Sequence, residues 1–196
     1  MSILYPVLAA LGCLACLMVV LVIGWGSLTY NRLVRQRNQV DAACAQVDAQ
    51  LKRRYDLVPN LVEMVKGYAA HERTTLDAVV GARNAAASAT PARPAARAQA
   101  EAALNQVLGR LFALAEAYPD LKASESFRGL RHELADTENK IAYARQFYNS
   151  AVQTYHMSIQ SIPTNLIAGL GGFRGRDLFQ AAGEERGPGV RAVLTR

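Results

Sequence analysis

The sequence predicts an all-α protein with an N-terminal transmembrane helix followed by an elongated antiparallel four-helix bundle. Three observations carry that prediction. A long run near the start has no charged side chain, apolar residues then recur every three or four positions, and no alternating run of strand length or Asn-Gly or Asp-Gly hairpin turn appears. Of the 196 residues, 51% are apolar and only 19% charged, which excludes a disordered charged tail. One Trp and 7% aromatics argue against a β-sandwich, and three cysteines exclude a disulfide-stapled miniprotein. The formal charge of +6 comes mostly from Arg and by itself names no nucleic acid.

The run from Ile3 to Leu28 is 26 residues without a charge. As a helix it is about 39 Å long, more than the roughly 30 Å of hydrocarbon it would cross. Pro6 stands near its start, where a helix tolerates proline, and Trp25 and Tyr30 stand at its far end, as an interfacial aromatic pair does. A cleaved signal peptide has a basic start and about 7–15 apolar residues. This run has no basic start and is too long, so a retained span is the better reading. A lipoprotein signal at Cys13 meets the same objections.

Arg32, Arg35 and Arg37 follow directly, against only the α-amino group before the span. Positive-inside logic puts the body in the cytoplasm and the N-terminus outside. These three arginines also suit contact with anionic lipid, at about 1 kcal/mol each.

After residues 1–29 the bundle is expected over 30–162. Val40, Cys44, Val47, Leu51, Arg54, Val58, Leu61, Val65, Tyr68 and Glu72 step by fours and threes. Asp56-Leu57-Val58-Pro59 interrupts them. Asp56 can cap a new helix whose first turn holds Pro59, so a hairpin is favoured over a kink. It would bring Leu51 opposite Met64, which one continuous helix holds about 20 Å apart. The two prolines of residues 89–94 make a loop. A further helix runs over about 95–118, with Leu104, Val107, Leu108, Leu111, Leu114 and Ala115 on one face, ended by Pro119.

The last long helix has the cleanest pattern: Phe127, Leu130, Leu134, Thr137, Ile141, Ala144, Tyr148, Ala151, Tyr155, Ser158 and Ile162, stopped by Pro163. Residues 163–180 are apolar but broken by glycine, which predicts a segment that folds back on the bundle or the membrane surface. From 181 a small, charged, Gly/Pro-containing tail is expected to be disordered.

Catalytic and metal constellations are not evident. His71-Glu72 and His132-Glu133 lack the further ligands of a zinc site, and Cys44 is far in sequence from every His. No cofactor is implied. Lys52-Arg53-Arg54 spreads around its helix and forms no nucleic-acid-binding stripe. Arg54 and Glu72 instead fall where the heptad calls for apolar residues. Each must be paired or reach solvent, because an unpaired buried charge costs several kcal/mol.

At this point the residues resemble a known family. Tyr30-Asn31, QVDAQLKRRYDLVPNLV at 46–62, VKGYAAHE at 65–72, TENKIAYARQFYN at 137–149 and PTNLIAGL at 163–170 look like the LemA family. The resemblance implies a bacterial membrane protein with a short external N-terminus, a cytoplasmic helical bundle and no established activity or cofactor. Relatives are associated with membrane organisation, including magnetosome biogenesis, and others accompany membrane proteases. Some look like lipoproteins, which keeps Cys13 in view. Gly171-Gly172 departs from the bulkier residue more usual in the family.

The leading expectation is a membrane-anchored scaffold or adaptor, with the lipid bilayer and either a protein partner or a second copy as partners. The candidate partner surface and polar seam comprise Arg53, Arg54, Asp56, Asn60, Tyr68, His71, Glu72, Glu138, Asn139, Lys140 and Arg145. The alternative is a module that binds a small ligand or lipid head group through that seam.

Overall fold

A computed structural model describes residues 4–89 and 94–179. They form α1 (Leu4–Tyr68), α2 (Arg73–Ser88), α3 (Pro94–Ala115), the short α4 (Pro119–Ala123), α5 (Glu125–Gln160) and α6 (Thr164–Leu170), and no strand occurs among them. Most of the predicted 89–94 loop and the predicted tail from 181 lie outside the described residues. The chain divides into two compact units, among the described residues one of 4–46 with 144–177 and the other of 47–143 with 178–179.

The second unit holds the four-helix arrangement: the end of α1, then α2, α3 and the first half of α5. Its core is the seam that the heptads predict. Val47, Leu51, Val58, Leu61 and Val65 of α1 are buried, as are Leu104, Leu108 and Leu111 of α3 and Phe127, Leu134 and Ile141 of α5.

The hairpin expected at Asp56–Pro59 does not exist. α1 runs through Pro59 without a break, which leaves Leu51 and Met64 on one helix. The chain reverses later, at Ala69–Glu72. Proline inside a helix has no N–H for the carbonyl four residues back, here that of Tyr55. A side chain from the next helix replaces it, since Arg83 Nε of α2 donates to the Tyr55 carbonyl at 3.0 Å. Asp56 caps nothing and lies mid-helix, with one carboxylate oxygen 3.9 Å from Arg83 Nη2.

The moved turn also changes the end of the seam. Ala69 is buried there, while Tyr68 is 47% exposed and Glu72 is the half-exposed residue that begins α2. α3 stops at Ala115, three residues before the predicted end, and Pro119 starts α4 instead of ending α3. The fixed φ of proline suits that first position.

In the first unit, Leu33, Val40 and Ala43 of α1 and Tyr148, Val152 and Tyr155 of α5 are buried. Ala43, not Cys44, takes the deepest place there; Cys44 is half-buried. Ile162, the last predicted seam residue, lies past the end of α5 and is 85% exposed.

Beyond α6 the chain turns back through a glycine cap. The Gly172 N–H donates to the Gly169 carbonyl and the Phe173 N–H to the Ala168 carbonyl, with Gly172 at φ +67°. Phe173 then lies edge-on to Tyr30, ring centroids 5.4 Å apart, with the Arg37 guanidinium 5.5 Å above its ring. A Cβ on Gly171 would come within 2.6 Å of the Phe173 ring. Gly172 thus supplies a backbone angle that side chains disfavour, and Gly171 leaves the space that the Phe173 ring occupies. The segment is pinned further by Arg176, whose backbone N–H donates to His156 Nε2 at 2.9 Å and whose guanidinium meets Asp41 at 3.0 Å.

Arg83→Met should leave the Tyr55 carbonyl without a donor and destabilise the protein by about 1–3 kcal/mol. Pro59→Ala restores the missing N–H, so the same Arg83→Met change made in that background should cost distinctly less. A double-mutant cycle by chemical denaturation in detergent measures the difference, and equal costs in both backgrounds would contradict this account.

Candidate functional site

Arg54 is 1% exposed and is the largest fully buried side chain among the described residues. Its heptad position on α1 aims it inward, between α3 and α5. Nη1 donates to Glu138 Oε2 at 2.8 Å and lies 3.4 Å from Glu101 Oε2, an ion-pair contact without hydrogen-bond geometry. Nη2 donates to Asn105 Oδ1 at 2.5 Å. Nε has no hydrogen-bond partner.

Around this cation lies a second layer of buried polar groups. Glu101 is 3% exposed and its Oε1 accepts a short hydrogen bond from the Tyr55 hydroxyl. Arg97, one turn earlier on α3 and also buried, donates from Nη2 to Asp48 Oδ1 at 2.6 Å; its Nε and Nη1 have no hydrogen-bond partner. Two cations thus face three carboxylates. Burial, and then the hydrogen bond to Glu101, push the Tyr55 phenol above its ordinary value, while Arg97 and Arg54 act weakly in the opposite sense. The phenol therefore stays a donor across the physiological range. A depression of about 370 Å³ opens over Arg54, bordered by Asn105, Phe112, Arg131 and Glu138. Arg131 lies over the Phe112 ring at 5.5 Å.

Of the residues singled out from sequence, Arg54 and Glu138 meet. Arg53 points outward to Glu133 at 2.7 Å, an exposed pair worth about 1 kcal/mol at most. Asn60, Asn139 and Lys140 are exposed on the helix surfaces. His71 is exposed in the α1–α2 turn, with Tyr68 and Glu72 flanking it. Tyr68 alone is about 21 Å along the axis from Arg54, so His71 does not converge on the seam. Arg145 belongs to the other unit, as do Arg32, Arg35 and Arg37, whose side chains are exposed on α1.

Sequence reasoning missed Tyr55, Arg97, Glu101 and Asn105. A signal for two of them was present. Extending the α3 seam of Leu104, Leu108, Leu111 and Ala115 toward the N-terminus in steps of three and four reaches Glu101 and then Arg97, the complement that a buried Arg54 and Asp48 need.

Arg54→Met should strand Glu101 without its cation and cost about 3–5 kcal/mol, whereas adding Glu101→Met should recover much of that loss. Guanidinium melts of the two variants decide it, and a double variant no more stable than the single would contradict the pairing.

A separate expectation concerns alkaline pH. Tyr55 holds its proton more tightly in the folded chain than the ordinary value of about 10 allows. Its stabilisation is therefore complete below about pH 10 and is lost as pH rises above that. Tyr55→Phe should make the fall in stability between pH 9.5 and 11 (roughly the onset of tyrosine ionisation) shallower than in the wild type.

Comparison with known proteins fits this geometry into a family. The LemA family model matches residues 43–191. The chain is 26% identical to magnetosome protein MamQ 2 of Paramagnetospirillum magneticum and 23% identical to magnetosome protein MamQ of Magnetospirillum gryphiswaldense, in each case over 86% of this chain and 69% of the relative. It is 25% identical to protein LemA of Metamycoplasma hominis, over 80% of this chain and 71% of that protein. The matched strings include the segment of α1 that carries Arg54 and the segment of α5 that carries Glu138, and with most of its length matched, the chain belongs to the LemA family.

Proposed function

We propose that this protein is a single-pass, membrane-anchored helical scaffold or adaptor in the bacterial inner membrane, with its N-terminus outside and its helical body in the cytoplasm. One observation carries the reading: the helix that holds the apolar stretch is the helix that holds Arg54. α1 contains a stretch long and apolar enough to cross a membrane, exposed from residue 11 to residue 25, and continues without a linker to Tyr68.

Three further features support it. Arg32, Arg35 and Arg37, exposed just past the apolar stretch, lie on its C-terminal side, as a cytoplasmic body requires. The final turns of the stretch pack against the chain after α5, since Ile167 lies beside Gly26, which favours retention over cleavage. Two of the curated relatives are named as magnetosome proteins, which is consistent with a role in membrane or envelope organisation. The inner polar seam supports scaffolding over ligand capture, because Nη1 and Nη2 of Arg54 are already engaged by Glu138 and Asn105.

The docking face on this reading is the exposed side of α1 around Lys52, Arg53, Asp56, Asn60 and Lys66. Crosslinking mass spectrometry on the full-length protein in its native membrane, reported by Lys52, Lys66, Lys122 and Lys140, should yield reproducible links to another protein or between copies. Charge reversal at Arg53 and Asp56, which keeps the lysine reporters in place, should remove those links while far-ultraviolet circular dichroism stays unchanged. A chain that links only within itself would overturn the scaffold reading.

A further inference from the structure

Ile162, Leu166 and Leu170 are 85%, 68% and 91% exposed. They stand four residues apart, so the two within α6 share one helix face and Ile162 leads into it. A stripe of three aliphatic side chains in water is costly and unusual in a soluble helix.

The opposite side of α6 places the stripe. Ala168 is buried, and Ile167 Cδ1 lies 3.9 Å from the point where Gly26 would carry a Cβ. Ile167 and Leu170 of the α6 region form an open groove of about 660 Å³ with Ile23, Gly26 and Tyr30 of α1. Ile23 is five residues inside the end of the uncharged run, about 8 Å along the helix axis. Ser27 and Asn31 also line it, so the groove runs from the last apolar turns of the span to its interfacial end, and its Ile23 end reaches the acyl region whenever the span is in a bilayer.

We propose that α6 is a second membrane-contacting element, its Ile162–Leu166–Leu170 stripe entering the acyl region of the cytoplasmic-side interface beside the last turns of the span. The inference rests on the anchor reading given above. An interfacial helix of this kind buries its apolar face about 5–10 Å below the head groups.

The backbone meets the demand that lipid makes. At the start of α6, the Asn165 N–H donates to the Ser161 carbonyl at 2.8 Å and the Leu166 N–H to the Pro163 carbonyl at 3.2 Å. At its end, the glycine cap engages the Ile167, Ala168 and Gly169 carbonyls. A segment with its terminal polar groups satisfied can touch hydrocarbon without stranding them. Trp25 and Tyr30 mark the interfacial level on α1, and the basic residues Arg37, Arg174 and Arg176 follow on the aqueous side, where anionic head groups attract them. Phe173, held by Tyr30 and Arg37, fixes how far α6 can move from the span.

The test uses the full chain in phosphatidylcholine–phosphatidylglycerol vesicles, with Cys13, Cys16 and Cys44 changed to Ala. Single cysteines are introduced by Leu17→Cys, Leu166→Cys, Leu170→Cys and Ala142→Cys, each labelled with the polarity-sensitive fluorophore NBD. Doxyl groups on the lipid acyl chains act as quenchers, and circular dichroism confirms helicity for each variant. Labels at 166 and 170 should be blue-shifted and quenched several-fold more than the label at 142, approaching the label at 17. Quenching at 17 with none above the Ala142 level at 166 and 170 overturns this proposal and leaves the anchor standing. Absence of quenching at 17 overturns the anchor and the proposal together.

Discussion

The backbone carbonyl of Tyr55 is the group on which the arrangement of α1 turns. Pro59 removes its helical donor, and an orphaned carbonyl inside a packed unit costs about 1–3 kcal/mol. A chain with no other remedy would bend or break there. Arg83, brought back by the turn at Ala69–Glu72, supplies the missing N–H and lets α1 continue for two more turns. What that continuation adds to α1 is the stretch from Asn60 to Tyr68, with Leu61 and Val65 buried in the core of the second unit.

Much of the fold was legible in the sequence because it rests on periodicity. The α5 seam from Phe127 to Tyr155 is buried with only Leu130 partly open, and the uncharged run forms the start of a helix. The failure at Pro59 has a physical cause. Local rules correctly identify a proline that cannot complete the helix, but whether the freed carbonyl finds a donor depends on Arg83, 28 residues on. Tertiary rescue of a local defect is invisible to a reading that moves along the chain. The same limit applies to the site. Arg54 stood out as a charge on an apolar seam, whereas Tyr55 stood beside it unremarked, and Arg97 and Glu101 were hidden in an alanine-rich stretch whose seam began only at Leu104. Once Arg54 is known to be buried, electroneutrality asks for a carboxylate within reach, and the heptad extended backward supplies Glu101.

The paired glycines show the reverse case, where an apparent departure from pattern is an adaptation to structure. Gly172 takes a positive φ that closes α6, and Gly171 leaves room for the Phe173 ring. A bulkier residue at Gly171 demands a different place for that ring. The Tyr30–Phe173–Arg37 stack is thus tied to the two glycines beside it.

The buried charges act on specificity more than on net stability. A well-packed apolar seam can match Arg54 and its partners in stability, since the desolvation of Arg54 and Glu101 offsets much of their attraction. What the apolar seam would lack is a reason to choose one register. Arg54 binds Glu101 and Asn105 on α3 and Glu138 on α5 at once, so sliding either helix by one turn, about 5.4 Å, strands a buried cation. The second pair, Arg97 with Asp48, repeats the constraint about two turns away along α1. Two such locks on one helix pair exclude slips that heptads of Leu, Val and Ala would tolerate. On the scaffold reading, that exclusion fixes the α1 face carrying Lys52, Arg53 and Lys66 against the neighbouring faces of α3 and α5, so that a partner contacting more than one helix meets a single surface.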